Sequence, residues 1–225
     1  MLQKNDFIEI TFTGKVRGGE IFDSNIKKDI EKAGLDVEAK PLIFCLGQGM
    51  FLKGIDDFLI GKKISEYEIE LKPENAFGKR EPSFVQMMPL KVFAQHKTQP
   101  VPGAMFQFDG RVAKVLSVSG GRVMVDFNNP LAGKEVIYKI KILKKLEKID
   151  DKINALNEFL FKKKFDFEIQ DKKLILNVEK QLAKFVELFK DKFKEVFDLD
   201  LEVKAIEESK KEKSDEKKDL DKKSN

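Results

Sequence analysis

The chain has 225 residues, of which 41% are hydrophobic and 36% are charged, and its formal net charge is +4 at pH 7. This composition supplies a core and a well-solvated surface, and so mild a charge gives little reason to expect a nucleic-acid partner. No apolar run approaches the roughly 20 residues that a membrane helix needs, which argues against a membrane protein.

Most of the first 147 residues alternate apolar and polar side chains in short runs, the pattern of half-buried strands. The alternation is clearest over residues 8–12, 67–71 and 136–142. Over residues 51–60 the apolar side chains instead recur at helical spacing, and Gly61 follows where a C-terminal glycine belongs. One helix laid across an antiparallel, twisted sheet predicts an α+β fold.

Residues 84–128, called the insert below, have a different pattern. Met87, Met88 and Pro89 precede a short helical run over residues 90–93. Strands are predicted over residues 105–108, 112–118 and 122–127. Gly120 and Gly121 read as the hairpin turn between the last two. The insert therefore has enough β signal to form a small domain of its own.

From residue 148 onward, helical and strand periods alternate in the order α-β-β-α-β. The predicted elements are a helix over 149–160, strands over 165–169 and 174–178, a helix over 182–196 and a strand over 199–205. A domain of this size has a marginal core, so we expect it to lean on the rest of the chain or on a second copy. Residues 206–225 are almost entirely Lys, Glu, Asp and Ser, and we expect them to be disordered.

The cysteine content and the N-terminus indicate a cytoplasmic protein. Cys45 is the only cysteine, which excludes an intrachain disulfide framework and favours a reducing compartment. The first residues lack a charged region followed by an apolar run, so we expect no signal peptide. We expect neither a membrane nor a nucleic acid as partner.

Three short blocks carry a family resemblance: GQGMFLKGI at residues 47–55, PENAFG at 73–78 and NPLAG at 129–133. None is informative alone. In this order, with a short first gap and a long second one, they resemble the FKBP family of peptidyl-prolyl cis-trans isomerases. The long second gap is similar to that of SlyD-type members, which carry a chaperone domain inserted in the flap. The C-terminal part resembles that of the long archaeal FKBPs.

The resemblance implies how the chain is divided into domains. An isomerase domain, with an antiparallel sheet wrapped on a short helix, would comprise residues 1–83 and 129–147. The insert, 84–128, would be a small β-rich chaperone domain. A C-terminal α/β domain would follow over residues 148–205, and the charged tail would occupy 206–225.

Prolyl isomerisation needs a particular kind of pocket. Rotation about an X-Pro bond must overcome a resonance barrier of about 18–20 kcal/mol. Because resonance places charge on the carbonyl oxygen, a dry apolar pocket favours the twisted, less polar transition state. This chemistry requires no metal, cofactor or nucleophile, and the only histidine, His96, has no second ligand at metal spacing. We therefore expect no cofactor.

The resemblance also implies which residues form the site. Phe22, Phe44 and Tyr138 would pack on the proline ring, and Ile55 would form the floor. The Leu52 amide would donate to a substrate carbonyl. The implied catalytic residues are Phe12, Phe22, Asp23, Phe77 and Tyr138. The implied substrate-binding residues are Phe44, Phe51, Leu52 and Ile55.

Two positions depart from the family pattern. Many relatives have Tyr where this chain has Phe12 and Phe77, and the hydroxyl at the latter position usually donates to the carbonyl before proline. Its loss removes a hydrogen bond worth about 0.5–1.5 kcal/mol. We expect lower activity but not its absence, because the apolar pocket is intact.

Each assignment has a simpler alternative. Taken alone, the site phenylalanines are core aromatics, since the chain has 20 Phe to accommodate. Asp23 precedes Ser24 and Asn25 and could be a turn residue. Met87, Met88, Val101 and Met105 would give the insert an adaptable chaperone surface, although Met87 and Met88 could equally fill a core.

The sequence is compatible with three functions. The leading hypothesis is a folding enzyme whose insert binds unfolded or nascent chains and delivers their X-Pro bonds to the pocket. A second is a holdase chaperone with weak or lost isomerase activity. A third is an adaptor that forms a homodimer, or docks on a larger assembly, through its C-terminal domain.

Overall fold

The computed structural model describes residues 1–95, 98–108 and 110–207. His96 lies outside this range, and so do residues 208–225, which form most of the tail predicted to be disordered. The chain divides into two compact units, Met1–Lys145 and the part from Leu146 onward. Within the described residues, no helix is both long and apolar enough to span a membrane.

The first unit mixes antiparallel sheets with short helices, which confirms the α+β fold class. Its strands are β1 (Phe7–Val16), β2 (Ile21–Ser24), β3 (Leu42–Cys45), β4 (Glu66–Leu71), β5 (Val85–Pro89), β6 (Met105–Phe108), β7 (Arg111–Ser119), β8 (Arg122–Asp126) and β9 (Val136–Lys145). Its helices are α1 (Lys27–Ala33), α2 (Lys53–Leu59) and α3 (Leu90–Gln95).

A five-stranded antiparallel sheet forms the main body of the first unit. Its order is β2-β1-β9-β4. The strand β3 pairs with residues 7–10 of β1, on the same edge of β1 on which β2 pairs with residues 13–15. Ile8 and Ile10 of β1 are fully buried, as their alternation predicts. Ile55 and Leu59 of α2 are also fully buried, so the predicted helix supplies core side chains to this body.

The helix α1 and the strand β2 of this body were not predicted from the sequence. The helix α1 has seven residues and buries only Ile30, so it leaves too few apolar positions to show a helical period. Gly34, at φ +63°, ends it. The strand β2 has four residues and pairs along one part of β1, which is too short for alternation to be recognised.

The insert contains a second sheet, of four antiparallel strands in the order β5-β8-β7-β6. One face carries a core in which Phe93 of α3 packs with Ala113, Val115, Val123 and Val125. The predicted turn is confirmed, since Gly120 and Gly121 have φ of +56° and +75°. The strand β5 was not predicted, because it ends in Pro89; proline is tolerated there because β5 is an edge strand.

Over residues 146–207, which the structure describes, the second unit has a three-stranded sheet and three helices. Its elements are α4 (Ile149–Phe161), β10 (Phe167–Gln170), β11 (Lys173–Glu179), α5 (Lys180–Glu187), α6 (Lys190–Phe197) and β12 (Asp200–Ile206). β10 and β11 form an antiparallel hairpin, and β12 runs parallel to β11. A parallel neighbour requires a crossover connection, which α5 and α6 provide.

The predicted single helix over 182–196 is wrong. The structure has two helices there, because Phe189 leaves the helical conformation at φ −99°, ψ 11°. Neither Gly nor Pro occurs at the break, so local composition does not mark it. Val186 and Phe193, on either side of the break, are both fully buried.

Candidate functional site

An aromatic cluster lies where β1, β3, β9 and the segment before α2 meet. Phe51 is at its centre, with ring centroids 5.0 Å from Phe12, 5.5 Å from Phe44 and 5.6 Å from Tyr138. These separations fall in the range of favourable aromatic packing. Three strands and a loop thus converge on a single apolar surface.

The cluster continues from Tyr138 toward the solvent-facing rings. Phe22 of β2 packs edge-to-face on Tyr138 at 5.8 Å, and Phe77 packs edge-to-face on Phe22 at 5.5 Å. Phe77 follows a single 3-10 turn over Pro73–Asn75, which presents the ring from the β4 side of the chain. All the aromatic residues of the predicted site therefore lie in one continuous cluster. Its members are Phe12, Phe22, Phe44, Phe51, Phe77 and Tyr138.

Burial divides the predicted site residues into a base and a rim. The buried members are Phe12, Phe44, Ile55 and Tyr138. The half-buried members are Phe22, Asp23, Phe51, Leu52 and Phe77. A cluster with a dry base and an accessible rim can accept an apolar ring from solvent, which a closed core cannot do.

A glycine makes room for the tyrosine of this cluster. Gly14 of β1 lies opposite Tyr138 in the β1–β9 register. A Cβ atom built on Gly14 would lie 2.8 Å from Tyr138 Cζ, closer than Cβ atoms pack in proteins, and 3.1 Å from Phe22 Cζ, which is a tight contact. The Tyr138 ring thus lies across the strand at a position where no side chain other than hydrogen fits. This role of Gly14 was not predicted from the sequence, although an isolated glycine in a strand is a known signal of close approach.

Asp23 and Tyr138 are the polar groups beside the rings. Tyr138 donates from Oη to Asp23 Oδ2 over 3.4 Å. Burial raises the pKa of Asp23 above its usual value, although the bonds from Tyr138 and from the Ser24 backbone oppose the shift. Burial and then the charge of Asp23 raise the pKa of Tyr138, so the phenol remains a protonated donor.

Neighbours of Asp23 hold β2 and the following turn against β1. Ser24 Oγ donates to the Phe12 carbonyl over 2.9 Å, and Asn25 Oδ1 accepts the Phe12 N–H at 2.8 Å. Asn25 Nδ2 also donates to the Ile10 carbonyl over 3.0 Å. The turn contacts are therefore made by Ser24 and Asn25, which leaves the Asp23 carboxylate directed toward Tyr138.

Leu52 lies at the N-terminal cap of α2, in an extended conformation at φ −66°, ψ 133°. Its carbonyl accepts the N–H groups of Ile55 and Asp56, which begins the helix. Its own N–H precedes the helical hydrogen bonds, as the first donors of a helix do. That N–H is therefore in a suitable place on the chain to meet a ligand beside Phe51.

The predicted chaperone residues of the insert are not all on one surface. Met87, Val101 and Met105 are exposed, at 56%, 55% and 47%. Met88 is half-buried and packs against the core on the face that carries Phe93. The two methionines of β5 thus point to opposite sides of the sheet, as neighbours on a strand must.

The face of the insert sheet opposite Phe93 is rich in methionine. Met87 pairs directly with Met124 of β8, and Met105 pairs with Lys114 of β7, which in turn pairs with Asp126 of β8. Because Met124 and Asp126 are two residues apart, Met87, Met105 and Met124 share this face. We call these three residues the methionine face. Met124, which alternates with the buried valines of β8, was not predicted as a member of this surface.

Comparisons with known proteins identify both parts of the first unit. The family model of the FKBP-type peptidyl-prolyl cis-trans isomerases matches residues 1–98. The model described as FKBP26, IF domain, matches residues 86–131. The second match falls on the insert sheet. The first match covers every predicted site residue except Val101, Met105 and Tyr138.

Curated relatives agree with the family models. The chain is 30% identical over 140 residues to the FKBP-type isomerase SlyD of Helicobacter pylori, covering 60% of this chain and 70% of the relative. It is 27% identical over 146 residues to the short-type peptidyl-prolyl cis-trans isomerase of Methanocaldococcus jannaschii, covering 63% and 92%. An FKBP-type 16 kDa isomerase of Escherichia coli is 28% identical over 148 residues, covering 63% and 92%.

Proposed function

Because this chain belongs to the FKBP-type peptidyl-prolyl cis-trans isomerase family and is a prolyl isomerase, we propose that it is a folding enzyme with two working surfaces. The methionine face of the insert binds unfolded or nascent chains, and the aromatic cluster isomerises their X-Pro bonds. The observation that supports the catalytic part is the continuous cluster from Phe12 to Phe77 with Asp23 at its side. We further propose a cytoplasmic location.

In this proposal the cluster removes water from the amide. The half-buried rings of Phe22, Phe51 and Phe77 admit the proline, and Tyr138 and Ile55 lie at the dry base. Away from water, the charge-separated planar amide is less stable relative to the twisted transition state, and the barrier falls. Each tenfold in rate requires about 1.4 kcal/mol of such differential stabilisation.

Asp23 acts in this mechanism without accepting a proton from the substrate. Tyr138 fixes one carboxylate oxygen through its hydroxyl, and the position of β2 against β1 fixes the backbone. A carboxylate held beside the twisting amide interacts with the imide nitrogen and carbonyl as their charges change. Because the Asp23 carboxylate is half-buried, its charge is poorly solvated, which raises its pKa and strengthens its interaction with a bound amide.

The absence of a phenol at Phe77 weakens one contact. The Phe77 ring packs on Phe22 and completes the apolar wall, but it carries no hydroxyl to meet the carbonyl before proline. One such hydrogen bond is worth about 0.5–1.5 kcal/mol, up to roughly tenfold in rate. This loss lowers the activity on short peptides. For protein substrates it is offset if a second surface binds the chain and raises the local concentration of its X-Pro bonds.

The insert supplies that second surface. Methionine side chains are flexible and polarisable, and they adapt to many apolar sequences. The insert is tied to the isomerase part by Arg80, which contacts Asp126 Oδ2 at 2.7 Å, and by Asn128, which bonds the Glu81 backbone at both N–H and C=O. A client held by the insert is therefore tethered to the domain that carries the aromatic cluster, and such tethering can raise the effective concentration of its X-Pro bonds to the millimolar range.

We expect the protein to catalyse proline-limited refolding far better than tetrapeptide isomerisation. The two activities should also separate under competition. A permanently unfolded chain that lacks proline should inhibit refolding catalysis at micromolar concentration, because it occupies the insert, and should leave tetrapeptide turnover unchanged. Equal inhibition of both activities, or of neither, would contradict the two-surface proposal.

We propose that the second unit forms a homodimer. Phe185 and Leu188 at the end of α5 are 47% and 77% exposed, whereas Val186 and Phe193 are fully buried within the unit. Burial of exposed apolar side chains such as these stabilises self-association, and a dimer with twofold symmetry is the commonest homo-oligomer. A dimer would present two inserts to one client.

We expect the full chain to sediment as a dimer at micromolar concentration, and residues 1–148 to sediment as a monomer. Leu188→Glu places a charge in the proposed contact and should yield monomers that keep tetrapeptide activity. Ile64→Glu is the matched control, because Ile64 is an exposed apolar residue of the first unit, at 52%. A wild-type mass of 25.9 kDa in solution would exclude the dimer.

A further inference from the structure

Asp56 is a buried carboxylate beside the aromatic cluster that the mechanism above does not use. It lies on α2 directly after Ile55, and only 3% of its surface is exposed. Its Oδ2 accepts the N–H of Gly49 over 3.3 Å. Among the described residues, no donor reaches its Oδ1, which is also buried. Burying a carboxylate with one unsatisfied oxygen costs folding free energy, and ionisable groups in such settings are candidates for a functional role.

The segment that Asp56 contacts carries two of the site residues. It runs from Gly47 to Met50 between β3 and α2, and Phe51 and Leu52 follow it directly. Gly47 and Gly49 have φ of +73° and +67°, a conformation that other residues rarely adopt. Since the two glycines also make this loop intrinsically flexible, side-chain contacts must determine its conformation.

The contacts that hold the loop include three that involve side chains. Gln48 Nε2 donates to Asn5 Oδ1 over 2.6 Å, and Met50 Sδ accepts the Cys45 N–H over 3.2 Å. The third is the Asp56 carboxylate on Gly49. Only this third contact comes from the helix that supports the pocket floor, so it couples the loop to α2.

We propose that Asp56 is a positioning residue of the isomerase, whose carboxylate holds the Gly49 backbone and thereby fixes the Phe51 ring and the Leu52 amide at the pocket rim. The inference rests on the proposed role of the aromatic cluster as the proline site. Asp56 itself does not touch the substrate in this account; it acts through the loop.

The protonation of Asp56 gives the arrangement a pH dependence. Burial raises the pKa of Asp56 to about 6, although the Gly49 and Gly47 N–H groups favour the charged form. The loop 47–51 has no ionisable side chain, and the charged neighbours are Asp57 and Lys53, which pair with each other on the exposed side of α2. Above pH 6 the carboxylate is an acceptor for Gly49, and below pH 6 protonation weakens that bond.

Enzyme kinetics on three variants test the proposal. We expect Asp56→Ala to lower tetrapeptide kcat/KM at pH 7.5 by about tenfold, the size of one charge-assisted hydrogen bond. Asp56→Asn keeps an oxygen acceptor and should restore activity to within about threefold of wild type. Asp57→Asn, the control on the exposed side, should match wild type. Equal activity of Asp56→Ala and wild type would overturn the proposal.

The pH profile provides a readout that a merely structural role would not change. Wild-type kcat/KM should fall as the pH decreases through about 6, and Asp56→Asn should lack this fall. Asp23 is present in both proteins, so its titration cancels from the difference. Parallel profiles for the two proteins would assign the pH dependence to another group and overturn the proposal.

A measurement without substrate separates this inference from the pocket assignment. In a nuclear magnetic resonance titration of the wild-type chain, the Gly49, Phe51 and Leu52 amide shifts should follow the Asp56 carboxyl with a common midpoint near pH 6. If they do so while Phe51 and Leu52 variants keep full isomerase activity, the pocket assignment fails and the loop coupling stands. Amide shifts that are independent of Asp56 overturn the coupling itself.

Discussion

Replacing Asp23 with alanine is expected to lower tetrapeptide kcat/KM by roughly 10- to 100-fold, because a hydrogen bond or contact to a charged group is worth about 1.5–3 kcal/mol. The carboxylate is half-buried and contacts the aromatic cluster through the Tyr138 hydroxyl, over 3.4 Å. A protease-coupled peptide assay measures the effect directly.

The same substitution should not unfold the protein. Burial raises the pKa of Asp23, so folding disfavours its charged form, and this unfavourable effect is complete once the pH exceeds the folded-state pKa. At pH 7 the alanine variant should therefore be at least as stable to heat as wild type, apart from the weak bond to Tyr138. Asp36→Ala, at an exposed loop position, is the matched control. A folded Asp23→Ala variant with unchanged turnover would contradict the assigned role.

The strands of the first unit could be predicted where one face is buried along its whole length. In β1, Ile8 and Ile10 are fully buried and alternate with Glu9 and Thr11, so the period of two is visible in the sequence. The helix α1 could not be predicted, because it places a single side chain, Ile30, in the core. Periodicity reports burial, and elements that bury little leave no pattern to recognise.

The break between α5 and α6 shows a second limit. Residues 182–196 have an unbroken helical period, yet the chain turns at Phe189 without a glycine or proline. Val186 and Phe193 are both fully buried, so tertiary packing on both sides of the turn outweighs the local preference for one continuous helix. A helix break that is determined by tertiary packing cannot be predicted from the local sequence.

The site itself was accessible only through the family resemblance. Its rings come from β1, β2, β3, β9, the segment before α2 and the turn after Pro73, and no local rule brings such distant positions together. Three contributors were missed because each depends on tertiary contacts. Gly14 has a role because the Tyr138 ring crosses β1 at that position. Asp56 has one because its carboxylate accepts the Gly49 N–H, and Met124 has one because β8 pairs with β5.

Replacing residues 84–127 with a short loop is expected to separate capture from catalysis. The two ends of the insert lie side by side, since the Phe127 N–H donates to the Phe84 carbonyl over 2.9 Å. Retaining Asn128 keeps its two bonds to the Glu81 backbone, so the remaining domain is closed by contacts it already has. None of the aromatic cluster residues belongs to the replaced segment.

Tetrapeptide isomerisation by this variant should stay within about tenfold of wild type, whereas catalysis of protein refolding should fall by 10²-fold or more, the scale that tethering supplies. Suppression of client aggregation should disappear. Light scattering during client refolding, measured beside the peptide assay, gives both readouts on the same preparation. If the variant still prevents aggregation fully, clients bind elsewhere, and the exposed Phe185 and Leu188 of the second unit become the surface to test.

A milder change tests the methionine face without removing a domain. Met87→Lys with Met124→Lys charges two paired residues on the open face, where Met87 is 56% and Met124 37% exposed, and leaves the Phe93 core untouched. Catalysis of refolding should fall as it does in the variant that lacks the insert, and tetrapeptide turnover should equal that of wild type. Ile64→Lys, exposed but outside the insert, should change neither. Neither Met87 nor Met124 belongs to the aromatic cluster, so a loss of refolding catalysis with unchanged peptide turnover would assign client binding to the methionine face.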